Sequence, residues 1–292
     1  MVLSGEMMVV VRADILRVMS FLVGQNKEID LVSPETIATY VYTYYGSHGK
    51  EMLPELSLVV QRKLEQTVIG IQSLKRFDEQ TDRKLWHCFY SWKLSEDVQE
   101  RLIDSCTVRL YLNIKLEHID EVVVKLMRFY LKVSNRVPLM FKLPDPVYVR
   151  NNLKFIEGAD KVVLYVNPNE RLVEKLEAHL LTYPSYYFYE TVPLFCRRVR
   201  NGVGIAHEPK ENSIFVNMLK GLLGRNEISL SYGQYMSYLV SQGIRLALFE
   251  LKLKRYTDTV NFSGLSDAQV RTITQKTLLF VFARMKEDLH LQ

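Results

Sequence analysis

Lys142, Arg150, Arg197, Arg198, Arg200 and His207 are the side chains of this sequence best suited to holding an anion. Lys142 lies in the apolar run P-L-M-F-K-L (138–143), and Arg150 follows in the next loop. The three arginines close V-P-L-F-C-R-R-V-R (192–200), and His207 comes just after glycines at 202 and 204. Phosphate is recognised by arginine forks and lysine point charges, and the backbone N–H groups of a glycine turn add to them. A desolvated lysine beside other cations can also give up its proton and act as a base, so the same residues suit proton abstraction. The plain competing reading is a set of surface cations on a sheet edge, with Arg198 alternating to the face opposite its neighbours.

The elements that must position these residues have a distinctive order. Thr107 to Lys115 alternates as a strand, with Arg109, Tyr111 and Asn113 on one face. Residues 117–133 repeat Val122/Leu126/Phe129 and Val123/Met127/Tyr130 at helical spacing. Val137 to Leu143 and Asp160 to Val166 read as strands, Pro168 to Leu181 as a helix and Thr191 to Val199 as a further strand. The order β-α-β-β-α-β is that of a ferredoxin-like sheet with helices on one face. The fold class expected is therefore α+β, a central ferredoxin-like antiparallel sheet flanked by N-terminal and C-terminal helices.

Before this centre come a helix over 9–23, a second opened by Ser33-Pro34 and running to Tyr45, and a third opened by Pro54. The polar stretch from Asp78 to Lys84 reads as a loop and Leu85 to Leu94 as an aromatic strand. After Pro209 three helices are expected, at 211–221, 234–255 and 266–289, the last opened by Ser266-Asp267. The domains expected are a helical region at 1–77, an α+β core at 78–210 and a helical region at 211–292.

Composition narrows the function classes. With 48% hydrophobic and 24% charged residues the 292-residue chain is an ordinary globular protein. A net charge of +5 suits acidic or phosphorylated partners, and no Lys/Arg run of nucleic-acid type occurs. No stretch of about 18 apolar residues is present, so no membrane span is expected. Three cysteines, Cys88, Cys106 and Cys196, without C-x-x-C spacing, read as reduced thiols of a cytoplasmic protein. P-loop, H-E-x-x-H and G-x-S-x-G patterns are absent, and His87 has no partner at metal-ligand spacing. The tyrosines at 40–45 are expected to pack, and Y-P-S-Y-Y-F-Y (183–189) is a candidate protein contact.

Y-L-N (111–113), P-L-M-F-K-L (138–143), A-D-K-V-V-L-Y-V (159–166), V-P-L-F (192–195) and N-G-V-G-I-A-H-E-P (201–209) together resemble the Hop-A type III effector family. The resemblance covers about residues 80 to 230. Bacterial relatives in that family serve as lyase-like proteins in making class V lanthipeptides and thioamitides, so it implies a phospho-Ser/Thr lyase. Such a protein eliminates phosphate from a phosphorylated precursor peptide, beside a kinase-like partner subunit that installs the phosphate. The implied roles are catalytic for Lys142 and His207, phosphate-binding for Arg150, Arg197 and Arg200, and peptide-binding for Asn113 and Tyr165, with no metal and no cofactor. The sequence departs from the family pattern at Gly158, where an arginine often stands, and at N-S-I-F-V-N-M-L-K after the glycine turn. These departures keep open a member that binds peptide or partner without catalysis.

Overall fold

The structure, a computed structural model, describes residues 5–47, 57–82, 85–92, 105–134, 137–151, 158–210, 213–222, 230–254 and 258–288. In chain order the elements are α1 (Gly5–Gly24), β1 (Glu28–Asp30), α2 (Pro34–Ser47), α3 (Ser57–Gln72), β2 (Asp78–Asp82), β3 (Trp86–Tyr90) and β4 (Val108–Leu112). They continue with α4 (Ile119–Ser134), β5 (Leu139–Pro144), α5 (Pro146–Asn151), β6 (Val162–Val166), α6 (Glu170–Leu181), β7 (Arg197–Arg200) and β8 (Val203–His207). The last are α7 (Ile214–Leu222), α8 (Tyr232–Glu250), β9 (Thr259–Asn261) and α9 (Asp267–Asp288). Pro54, expected to open the third helix, lies outside the described residues.

The chain divides into two compact units. One comprises Met1–Gly46, Leu194–Arg197 and His207–Gln292, the other Ser47–Pro193 and Arg198–Ala206. The second is the α/β unit. Its sheet runs β2-β3-β5-β6-β4-β8-β7, in which β5-β6-β4-β8, with α4 and α6 as the crossovers, is the ferredoxin-like order. The expected pairing of the strand after Thr107 with the one after Asp160 is present: Val108 faces Val166 and Leu112 faces Val162, antiparallel.

Two elements differ from expectation. The fourth ferredoxin-like strand is β8, beyond the glycine turn, because the chain from Thr191 to Cys196 is irregular and Gly202 turns β7 back as an added edge. Gly202 has φ 67°, and a Cβ there would meet Tyr189 O at 2.6 Å and Phe188 Cβ at 2.7 Å, so only glycine fits. The polar stretch after Asp78 is strand β2, not loop: pairing with β3 from Asp78↔Tyr90 to Asp82↔Trp86 satisfies its backbone, and an edge position tolerates its polar side chains.

One face of the sheet holds the unit's core. Val108, Leu110 and Leu112 of β4, Leu139, Phe141 and Leu143 of β5, and Val162, Leu164 and Val166 of β6 are buried against Val122, Val123, Leu126, Met127 and Tyr130 of α4 and Leu172, Leu176 and Leu180 of α6. Each such side chain contributes about 1.5–3 kcal/mol on burial. Val60, Leu64, Val68 and Ile71 of α3 join this core, which places α3 in the α/β unit. Gly70 lets α3 approach α4, since a Cβ there would lie 2.7 Å from Val124 Cγ2.

The other unit is mainly helical. α8 opens with a capping box between Ser231 and Gln234, and α9 opens at Ser266, whose hydroxyl accepts from Gln269 N at 3.3 Å. Of the tyrosines of α2, Tyr44 stacks on Phe21 at 4.5 Å and Tyr45 is buried, while Tyr42 is exposed. Phe195 has φ 63°, its N–H donating to buried Asp14 at 2.6 Å and its carbonyl accepting from Tyr232 at 2.7 Å. No helix among the described residues is long and apolar enough to cross a membrane.

Candidate functional site

The sheet face opposite the core is where Lys142 points, because it alternates with buried Phe141 and Leu143 on β5. Register places Cys88, Lys142, Val163 and Tyr111 in one row across β3, β5, β6 and β4. Tyr90, Met140, Tyr165 and Arg109 form the row beside it. Cys88, Tyr90, Val163 and Tyr111 are buried, whereas Trp86, Met140, Lys142, Tyr165 and Arg109 are half-buried.

Cations and rings alternate along this half-buried part. Lys142 Nζ lies 4.4 Å from the Trp86 ring centroid and 5.7 Å from that of Tyr165. Arg109 Cζ lies 4.5 Å from the Tyr165 centroid. Such contacts are worth about 0.5–2 kcal/mol each and hold a positive charge in a fixed place. Among the described residues, no hydrogen bond or ion pair engages Lys142. Asp160 adds a carboxyl to this region: burial raises its pKa, while Lys142 and Lys161 oppose that rise. Arg109 on β4, Lys142 on β5 and Lys161 just before β6 thus supply three cations to this region.

Lys161 is 1% exposed. Its ammonium donates to Asn113 Oδ1 and to Gly158 O at 3.1 Å, and lies 4.4 Å from the Tyr189 centroid. Asn113, fully buried, donates through Nδ2 to Thr191 O at 3.1 Å and to Thr191 Oγ1 at 2.9 Å. Asn113 is therefore a brace between β4 and the segment after α6, and its amide is engaged by protein groups instead of facing a peptide.

Arg200 stands apart from Lys142 within the sheet. Arg200 lies on β7, four strands from β5, a separation of about 19 Å at ~4.8 Å per strand. Its guanidinium donates to Leu180 O and Tyr183 O, both at 2.8 Å, and covers the Phe188 ring at 5.0 Å; burial lowers its pKa. Lys142 and Arg200 are thus not brought together. Arg197 and half-buried His207 belong to the mainly helical unit. Arg150 is on α5, and its side chain lies outside the described residues. Exposed Arg198 reaches Asn201 Oδ1 at 3.5 Å.

Of the predicted residues, Lys142 and Tyr165 are therefore neighbours. Trp86, Asp160, Lys161 and, as a functional cation, Arg109 were missed. The sequence carried a signal for two of them: Arg109 shares the parity of Tyr111, and Lys161 that of Tyr165. No group of His, Cys, Asp or Glu suited to a metal ion occurs among the described residues. A surface pocket of about 170 Å³ at the start of α6, lined by Val133, Asn169, Arg171, Leu172 and Lys175, contains none of the predicted residues.

The segment that carries most of this lattice has relatives. Residues 90–219 match the HopA1 effector protein family. The match runs from the last residue of β3 into α7 and includes Arg109, Lys142, Lys161 and Tyr165. No curated protein matches the chain. Among solved structures, an effector protein from Pseudomonas syringae pv. syringae strain 61 is 13% identical, with 84% of this chain and 89% of that chain covered and a TM-score of 0.52. An effector protein from Pseudomonas syringae pv. tomato strain DC3000 is 14% identical over 91% of this chain and 95% of that chain, with a TM-score of 0.45. This chain is HopA1-like in sequence over the matched segment and shares the fold of the strain 61 effector.

Proposed function

We propose that this effector-like protein is a phospho-Ser/Thr lyase acting on a precursor peptide, with the Lys142 face of the α/β unit as its phosphopeptide site. The observation that carries the reading is Lys142 itself, a half-buried ammonium framed by Trp86 and Tyr165 and engaged by no hydrogen bond or ion pair among the described residues. In the elimination, a base takes the proton from Cα, the electron pair forms the Cα=Cβ bond, and the Cβ–O bond breaks to release phosphate with a proton. Lys142 is assigned as the proton acceptor, acting as the free amine, since the ammonium has no lone pair to take the Cα proton. Arg109, across Tyr165, is assigned to hold phosphate on this face, the role that the sequence reading gave to Arg150, Arg197 and Arg200. The reading requires a kinase-like partner subunit to install the phosphate and needs no cofactor. Three buried cysteine thiols fit a reducing cytoplasm.

A second reading, phosphopeptide binding without elimination, is favoured by the same contacts. Two aromatic faces hold a cation in place, and a fixed cation binds phosphate whether or not a proton moves. Incubation of the protein with a synthetic phosphoserine peptide, followed by mass spectrometry, separates the two. Elimination appears as loss of phosphoric acid from the peptide. Saturable binding by the wild-type protein with the peptide mass unchanged replaces the lyase with the binding module.

A further inference from the structure

Elimination of phosphate needs two proton transfers, one from Cα and one to the departing oxygen. Lys142 serves the first, and Tyr165 is its neighbour on the same face. Tyr165 belongs to the middle strand, β6, paired in register with Met140 of β5 on one side and Arg109 of β4 on the other. The centroid of its half-buried ring lies 5.7 Å from Lys142 Nζ and 4.5 Å from Arg109 Cζ. The ring is thus held by the residue assigned to the Cα proton and by the residue assigned to the phosphate. An arginine holds phosphate but keeps its own proton, so the acid has to be another group. Among the described residues no hydrogen bond engages the Tyr165 hydroxyl, which leaves the phenol O–H able to donate to a ligand. Each member of an acid–base pair works within about 2.6–3.2 Å of the atom it serves, and a separation of 5.7 Å between amine and ring lets both reach one phosphorylated residue.

We propose that Tyr165 is a further catalytic residue of this face, the general acid that protonates the departing phosphate. This role rests on the elimination reading: as Lys142 takes the Cα proton and the electron pair forms the Cα=Cβ bond, the Cβ–O bond breaks and the phenol proton passes to the departing oxygen, giving hydrogen phosphate. The phenolate left behind stands beside Arg109 and the new Lys142 ammonium, two cations that stabilise it. Proton return from that ammonium through solvent restores both groups. One phosphorylated residue therefore yields one dehydroamino acid and one phosphate, with no co-reactant.

The test compares Tyr165→Phe with wild type on two synthetic peptides of one sequence, the first carrying phosphoserine and the second O-sulfoserine. Sulfate is a far weaker base than phosphate and departs without a proton, so only the first peptide needs the acid. Mass spectrometry should show phosphate release slowed at least about 100-fold in Tyr165→Phe, the low end of what general acid catalysis contributes, and sulfate release slowed less than about tenfold. Phosphopeptide affinity, read by fluorescence anisotropy, should stay within about threefold of wild type, because phenylalanine keeps a ring facing both cations. Lys142→Ala, which lacks the base, should lose release of both anions. Phosphate release by Tyr165→Phe at the wild-type rate, equal slowing on the two peptides, or a loss of rate matched by an equal loss of affinity would each overturn the proposal. So would the same leaving-group dependence in Asp160→Asn with Tyr165→Phe unaffected. Each of these leaves the elimination reading standing, whereas a wild type that never changes the mass of the phosphopeptide overturns that reading and this role with it.

Discussion

The brace between Asn113 and Lys161 predicts a large, strongly coupled stability effect. Lys161 is a cation at 1% exposure whose side-chain contacts include Asn113 Oδ1, Gly158 O and the Tyr189 ring. Asn113→Ala removes one acceptor from that buried charge and both amide bonds to Thr191. Removing one partner of a buried charge typically costs about 3–5 kcal/mol, so a loss near the lower bound is expected with Gly158 O still in place. Lys161→Met removes the charge together with its need for partners and should cost about 1–2 kcal/mol, from the acceptors left unsatisfied. In the Lys161→Met background, Asn113→Ala loses only the Thr191 bonds, about 1–2 kcal/mol. The two substitutions should therefore couple by about 1–2 kcal/mol. Urea unfolding of the wild type, both single variants and the double variant, with m-values checked for constancy, measures this cycle. Additive costs within ~0.5 kcal/mol would refute the brace.

Further expectations follow from other contacts. Gly202→Ala should destabilise by about 2 kcal/mol or more, read in the same urea assay, because φ 67° and the 2.6 Å approach to Tyr189 O both disfavour a Cβ. Asp14→Ala should cost about 3 kcal/mol, because it leaves the buried N–H of Phe195 without its acceptor in a strained backbone conformation; thermal unfolding checks this. His179 stacks on Phe129 at 4.0 Å, and burial lowers its pKa below the ordinary 6.5. Its contribution to stability is therefore complete above the unfolded pKa and lost as pH falls through the lower folded value, and His179→Phe should flatten that acid limb. Asp160 has the opposite sign: with its folded pKa raised, its contribution is full below the unfolded value and lost as pH rises through the folded one, so Asp160→Asn should remove that loss.

The ferredoxin-like centre was legible because its signals are local. Alternation in 107–115 and 160–166 and the 3.6-residue period of 117–133 each follow from one face meeting a core. β2 was not legible: its residues carry no apolar alternation, and only pairing with β3 makes them a strand. The fourth strand was displaced because T-V-P-L-F-C has strand composition, while the chain there is shaped by Asn113 holding Thr191 and by Asp14 and Tyr232 holding Phe195. For the site, strand parity indicates which cations share a face but not how many strands separate them. Lys142 and Arg200 both read as strand cations, yet the order β5-β6-β4-β8-β7 keeps them apart. Arg109 was visible by parity and stands beside Tyr165 because β4 and β6 are paired in register. The 183–189 segment shows the same limit: Tyr183 is buried and donates to Val122 O at 3.2 Å, Phe188 is buried, and Tyr186 remains 61% exposed.

The central claim, that Lys142 on the sheet face takes the Cα proton of a phosphorylated residue, is tested most directly by following a synthetic phosphoserine peptide by mass spectrometry with wild type, Lys142→Ala and Lys142→Arg. Wild type should convert the peptide to its dehydroalanine form, and both variants should leave the phosphopeptide intact while remaining folded, since arginine stays protonated and accepts no proton near neutral pH. Dehydroalanine formation by Lys142→Ala at the wild-type rate would contradict the account.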